Sequence, residues 1–465
     1  MIRNVTTAVV LALVIGGAFV RFADREKTYF GDEMWVLEFV ENGRYMPHAV
    51  PQPPLFFFSA VAASRICGMG EACLRAPAEI TAVLLTLIPL LVWWTTRALR
   101  PAGVIVWTAI LAFSSPVSFY AARVKQYPLE ALGCAVLLWL FLRAWEDERR
   151  WKVFAIAAGV LVATLHAPIF VLAAMGMAVL VGARTTRQRV RLAAMHPGLA
   201  AVFAVAYFGY LRPGPEVERY FGDLADYFTT ELPAFWDGSA SFVTSQTRLW
   251  LGQFLNITPG FAVALGVAIL AWVVSVARRR DRENGAIAIA SLAPAVLVLL
   301  TSAARLYPYG EVRLMIFLLP GISLAFALAV QWLLDQRRII AVPSAVVLVA
   351  FLAVFILHGA RDSYNASYMH IDDLRRLYAH LGAHRQSGAP VVVYAFDIRP
   401  LQHYVPIPPR DIVRLNPGVH EVTIPAPEFW TFFRTTDRVR LHPEGAVVAE
   451  ELSDGQMRLV KYQRR

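Results

Sequence analysis

The sequence predicts a polytopic α-helical membrane protein that ends in a small α/β domain, and three observations carry that prediction. Of its 465 residues, 57% are hydrophobic and only 17% charged, with a mean hydropathy of +0.50, an apolar surplus that a single soluble core does not need. About eleven apolar stretches approach the ~20 residues that cross a bilayer. Composition turns polar after Arg361 and stays so to Arg465. The chain therefore divides into residues 1–360, a membrane domain, and residues 361–465, a soluble domain of about 100 residues, within the usual size range.

The net charge of +10 is topological rather than a nucleic-acid footprint, because the basic residues sit in short clusters between apolar spans and no nucleic-acid motif is present. Cys67, Cys73 and Cys134 form neither a zinc pattern nor a disulfide framework. No metal and no cofactor is expected. Cys67 and Cys73 flank a short Gly-containing loop on the expected outer side, where oxidation is permitted, and the sequence leaves their pairing open.

The first span runs from Val5 to Phe22, with no convincing small-residue cleavage site before Arg21-Phe22-Ala23-Asp24, and reads as a retained helix. Leu55 to Ile66 is apolar but short and reads as a helix lying at the interface. Charge decides that choice. If Leu55–Ile66 does not cross, then Arg97 with Arg100, Arg149-Arg150-Lys152, Arg184 to Arg191, Arg278-Arg279-Arg280 and Arg337-Arg338 all fall in the cytoplasm, as the positive-inside rule favours. Further spans follow near 78–96, 102–119, 128–142, 153–165, 168–182, 193–211, 259–277, 286–304, 314–334 and 339–357. The expected location is the inner (plasma) membrane, with the C-terminal domain outside.

Two outer segments stand apart. Residues 212–248 are rich in aromatics and acids, among them Glu216, Tyr220, Asp226, Tyr227 and Trp236, which suits an interfacial segment or an acceptor groove lined with sugar-stacking rings. The soluble tail reads as a helix over Asp372–Gln386, a strand over Pro390–Phe396, and later strands including Asp437–Leu441 and Met457–Tyr462.

The chemistry concentrates after the first span. Gly31-Asp32-Glu33 places two adjacent carboxylates just outside lipid, ahead of a helix-like run, and Gln52-Pro53-Pro54-Leu55 follows. An outer turn, Arg123-Val124-Lys125-Gln126-Tyr127, carries cations against the positive-inside trend, with Glu130 just inside the next span. A third element, Arg305-Leu306-Tyr307-Pro308-Tyr309-Gly310-Glu311-Val312-Arg313, combines aromatics with guanidinium forks that match phosphate. Its bland reading is an ion pair of Glu311 with Arg305 or Arg313.

Gly31-Asp32-Glu33 after a first span, followed by Pro53-Pro54-Leu55, resembles the GT-C membrane glycosyltransferases, particularly the bacterial relatives of protein O-mannosyltransferases and aminoarabinose transferases. The likeness covers Met1 to about His358. It implies an inverting transfer of a sugar from a polyprenyl-phosphate donor to a hydroxyl of a glycan, lipid or protein acceptor, with membrane lipid as the other partner. The family's catalytic acid matches Asp32, the expected base; Glu33 either assists or is a first-turn acid favoured by the helix dipole. Arg123, Lys125, Arg305 and Arg313 are the expected donor-phosphate contacts. Gln52, Tyr127, His166, Tyr307 and Tyr309 are the expected substrate contacts. Two departures from the family stand out: Lys125, Gln126 and Tyr127 occupy a region where relatives bear an acid, and Gln52 replaces a Lys or His. The rival reading is a lipid or glycan transporter, against which stand the absence from the sequence of paired inverted repeats and of broken midplane helices, and the clustering of ionisable residues at one face.

Overall fold

The computed structural model describes residues 2–22, 29, 31–43, 45, 52–182, 186–212, 232–255, 259–303, 307, 309, 312–365, 374–394, 398–415, 421, 422, 424, 426–434, 440, 441, 446–454 and 457–464. The membrane part opens with nine helices: α1 (Ile2–Phe22), α2 (Gly31–Asn42), α3 (Pro54–Cys67), α4 (Glu71–Thr95), α5 (Pro101–Phe113), α6 (Ser115–Ala121), α7 (Tyr127–Glu146), α8 (Trp151–Thr164) and α9 (Pro168–Gly182). Seven helices among the described residues are long and apolar enough to cross a membrane: α1, α4, α7, Ala194–Leu211, Arg282–Ala303, Val312–Leu334 and Arg338–Arg361. The pair α5 and α6, bent by 51°, makes an eighth as one broken span.

The other expected spans fall on α8, α9 and the helix Pro259–Arg278. α8 and α9 have 14 and 15 residues, so at 1.5 Å per residue each falls short of a ~30 Å hydrocarbon layer. Pro259–Arg278 has 20 residues and is apolar over Gly266–Arg278. α3 is similarly short, with Pro54 at its first position, where its missing N–H costs no helical bond.

The break between α5 and α6 has a chemical cause. Pro116 has no N–H to offer the Ala112 carbonyl one turn back, so that oxygen is released from the ladder. Arg21, at the end of α1 and 2% exposed, fills the gap: its Nη2 donates to the Leu111 and Ala112 oxygens at 2.6 and 2.9 Å, and its Nη1 to Ala82 O of α4 at 2.8 Å. The approach is backbone to backbone, since a Cβ at Gly17 would stand 2.7 Å from the Ala112 oxygen.

The tail is a mixed five-stranded sheet in the order β2-β1-β4-β7-β6, from β1 (Val391–Tyr394), β2 (Ile412–Leu415), β4 (Glu428–Arg434), β6 (Ala446–Asp454) and β7 (Met457–Arg464). β1 runs parallel to β2 and β4, whereas β7 is antiparallel to β4 and β6. The short β3 (Glu421–Val422) and β5 (Arg440–Leu441) pair separately. The helix Arg375–His384 buries Leu377, Tyr378 and Leu381 in one core with Val391, Val393, Trp430 and Phe432.

Candidate active site

Glu33 is the centre of a buried polar network that joins α2, α4 and the turn before α7. It lies in the first turn of α2, fully buried, and its Oε1 and Oε2 accept from Arg75 Nε and Nη2 of α4 at 3.0 and 2.9 Å. The Val124 N–H, in the turn before α7, donates to the same Oε1 at 2.8 Å, and Arg123 Nη1 lies 3.6 Å from Oε2. Burial of such a pair is tolerated only because both lone-pair faces and both donors are used. A small apolar core encloses it, built from Tyr29, Met34, Val36, Leu37, Phe56, Phe57, Leu74 and Val124.

This network fixes where α2 begins. Asp32, one residue earlier in the same helical turn, is carried by the segment that Glu33 ties to α4 and to the 122–126 turn. Glu33 is therefore far more than a first-turn acid: its carboxylate is the joint between three elements. Arg123 stacks its guanidinium over Phe119 at 4.5 Å from the ring centroid and is 3% exposed.

A second cluster begins at the other end of that turn. Tyr127 opens α7 and sets its ring edge-on to Tyr120 at 4.8 Å. Glu130, one turn on, faces His166 in the α8–α9 turn, with Nδ1 3.5 Å from Oε1. Tyr307 packs on Phe170 and donates its hydroxyl to Leu314 O at 2.9 Å. Burial, and after it the Glu130 carboxylate, push the Tyr307 phenol well above its ordinary range. Tyr309 turns elsewhere: its hydroxyl meets Thr247 Oγ1 at 2.6 Å and its ring meets Trp250, both on the helix Leu232–Leu255.

The other expected residues distribute as follows. Gln52 is 5% exposed just ahead of α3, and its Oε1 has no hydrogen-bond partner among the described residues. Gln126 Oε1 is likewise unpartnered. Lys125 shares the turn with Arg123, and Arg313 lies in the short helix Val312–Met315. Arg305 and Glu311 lie outside the described residues, as do residues 213–231 of the aromatic segment. Among the described residues, no group of three His, Cys, Asp or Glu is arranged to hold a metal ion.

The structure also brings in residues that the sequence did not nominate. Arg75 and Glu79 are both buried on α4, Arg75 just ahead of the expected span and Glu79 inside it. The pairing of Cys67 and Cys73 that the sequence leaves open is made: the two are bridged, with Cα atoms 5.8 Å apart, closing the α3–α4 loop. That loop offers Met69 O to the Tyr29 hydroxyl at 2.7 Å.

No family model and no curated protein matches the chain. Solved structures do. ArnT from Cupriavidus metallidurans bound to undecaprenyl phosphate superposes with a TM-score of 0.57, covering 98% of both chains at 12% identity. The chain has the fold of ArnT. The apo state of that protein gives a TM-score of 0.56 over the same share. The likeness to the ArnT fold includes the C-terminal sheet as well as the helical part, because the match leaves almost nothing of either chain out.

Proposed function

We propose that the chain is a GT-C-type glycosyltransferase that takes a sugar from a polyprenyl-phosphate donor at the outer face of the membrane. The observation that carries this reading is the full-length ArnT fold, one example of which binds undecaprenyl phosphate, together with a cation-bearing turn anchored to the Asp32–Glu33 helix. The donor's tail explains an enzyme built on spans: each buried methylene is worth about 0.8 kcal/mol, so a polyprenyl chain stays in lipid and must be met there.

In this reading Asp32 accepts the proton of the acceptor hydroxyl. The freed oxygen attacks the anomeric carbon, the bond from that carbon to the phosphate oxygen breaks, and the polyprenyl phosphate leaves with the bonding electrons. One displacement inverts the configuration, and one positioned base contributes ~10²–10⁴-fold. No strong general acid is required, because the leaving group departs as an anion. Arg123, Lys125, Arg305 and Arg313 stabilise the charge growing on the phosphate, as fixed donors do without reorganising. Glu33 and Arg75 keep α2 and the cationic turn in register. The unpartnered amide oxygens of Gln52 and Gln126 suit hydroxyl donors of a sugar.

Two experiments test the reading. Purified protein in lipid nanodiscs is titrated with undecaprenyl phosphate, and released polyprenyl phosphate is followed with sugar-loaded polyprenyl donors. Binding with turnover supports a transferase; lipid movement across vesicles without product points to transport. Reporter fusions after Arg100, Arg150 and Arg361 test the sidedness, and a cytoplasmic signal at Arg361 would overturn it.

A further inference from the structure

Resting on the reading of Asp32 as the base, we infer that the C-terminal domain is a positioning part of the active site, acting through Tyr404 on Tyr29. Tyr404 ends the helix Ile398–Tyr404 of that domain. Its hydroxyl accepts from the backbone N–H of Tyr29 at 2.9 Å and donates to Glu71 Oε1, at the start of α4, at 2.7 Å. A single phenol thus joins the soluble domain to the residue just ahead of Gly31-Asp32-Glu33 and to the helix that carries Arg75.

The path behind Tyr404 is stiff. Its ring stacks on Tyr378 at 5.1 Å and 9°, and Tyr378 stacks on Phe432 of β4 at 5.4 Å. Ahead of it, Tyr29 is 2% exposed, the His403 ring meets it edge-on at 5.8 Å, and the Arg75 guanidinium lies over its ring at 5.5 Å. Arg75 is the residue that grips both oxygens of Glu33. On the exposed side of α2, Arg399 Nη1 reaches Glu38 Oε2 at 3.4 Å. The domain therefore touches α2 beside its first turn and again along its length.

These contacts differ from simple docking in what they hold. Without Tyr404 the Tyr29 N–H would be buried and unmet, a loss that favours reopening of the segment. The disulfide-closed loop supplies the opposite wall, through Met69 O on the Tyr29 hydroxyl and Glu71 on Tyr404. A catalytic group misplaced by about 1 Å loses on the order of 10²-fold in rate, so slack at Tyr29 is expressed in turnover rather than in donor binding.

The test is hydrogen exchange and kinetics on full-length Tyr404→Phe, which keeps the ring stack and deletes one hydroxyl. The Tyr29 amide should exchange about tenfold faster or more, with strand β4 unchanged. kcat should fall by about tenfold or more while the donor KM stays within about twofold. Glu71→Leu reaches the same junction from α4 without touching the C-terminal domain, and should also deprotect Tyr29 if Tyr404→Phe disturbs the sheet. Unchanged Tyr29 exchange in both variants overturns the inference, as does a raised donor KM with kcat intact. If the wild type transfers no sugar, the transferase reading fails, and the exchange data alone judge the link.

Discussion

Arg75 and Glu33, 42 residues apart in sequence, form a two-bond ion pair with both side chains at 0% exposure. A buried pair of this kind contributes little over a hydrophobic alternative but is costly to break on one side, because the remaining charge is stranded. Glu33→Gln should therefore destabilise the protein by about 3–5 kcal/mol. Arg75→Lys should also be costly, since an ammonium cannot reproduce the two parallel bonds. Thermal unfolding in detergent checks both, and wild-type melting of Glu33→Gln would show the network to be dispensable.

Asp32→Asn should abolish transfer while leaving undecaprenyl phosphate binding intact, because the amide keeps the shape and cannot take a proton. Single-turnover assays at saturating donor provide the measurement. Near-wild-type turnover would remove Asp32 from its assigned role.

The cations should behave as a phosphate site. Loss of one charge-assisted hydrogen bond at Arg123, Lys125, Arg305 or Arg313 is worth roughly 1.5–3 kcal/mol, or about 10- to 150-fold in affinity or rate. Arg123 carries a second burden through its place beside Glu33 and over Phe119, so its substitution should also lower melting temperature. Donor titrations on purified variants separate the effects, and unchanged affinity and turnover in all four would leave the phosphate without a site.

Alkaline pH should loosen the junction at Tyr29. Burial raises the Tyr29 and Tyr404 phenols above their ordinary value of 10.0, and Glu71 adds to the effect in both. A raised folded value means that the unfolded chain ionises first. The stabilisation is thus complete below about pH 10 and declines as pH climbs above it. Melting curves from pH 8 to 11 should fall more steeply for the wild type than for Tyr404→Phe, and parallel curves would count against a shared phenol link.

Cys67 and Cys73 should resist thiol labelling until reductant is added. Closing so short a loop is worth about 2 kcal/mol in the chain-entropy account. Equal labelling before and after reduction would exclude the bridge in the native protein.

Much of this was legible in the primary structure because it is local. The apolar runs, the polar turn at residue 361, the helix now seen at Arg375–His384 and the strand at Val391–Tyr394 all follow from periodicity within a dozen residues. The carboxylate pair and the Arg123–Tyr127 turn were visible for the same reason. Arg75 was not, since its meaning comes from a partner on another helix, and alone it reads as a cation flanking a span. Tyr404 was hidden more deeply, because its partner Tyr29 is 375 residues distant and lies in the other domain. How α8 and α9 sit in the bundle is not legible in the same way, because apolarity marks a buried helix as readily as a crossing one, and both are apolar but short.

The Arg21 clamp has a consequence for how the chain is made. The cation ends α1, yet the oxygens that satisfy it belong to Ala82, Leu111 and Ala112, later in the chain. During synthesis α1 must therefore wait, its arginine held at the headgroups by the reach of its side chain, until roughly ninety more residues have followed. Insertion of α1 and its final seating are thus separate events, the second awaiting the proline-broken α5–α6 pair. A stalled chain ending before Leu111 would still carry Arg21 in contact with lipid headgroups, a waypoint that crosslinking from residue 21 to lipid on arrested nascent chains can observe.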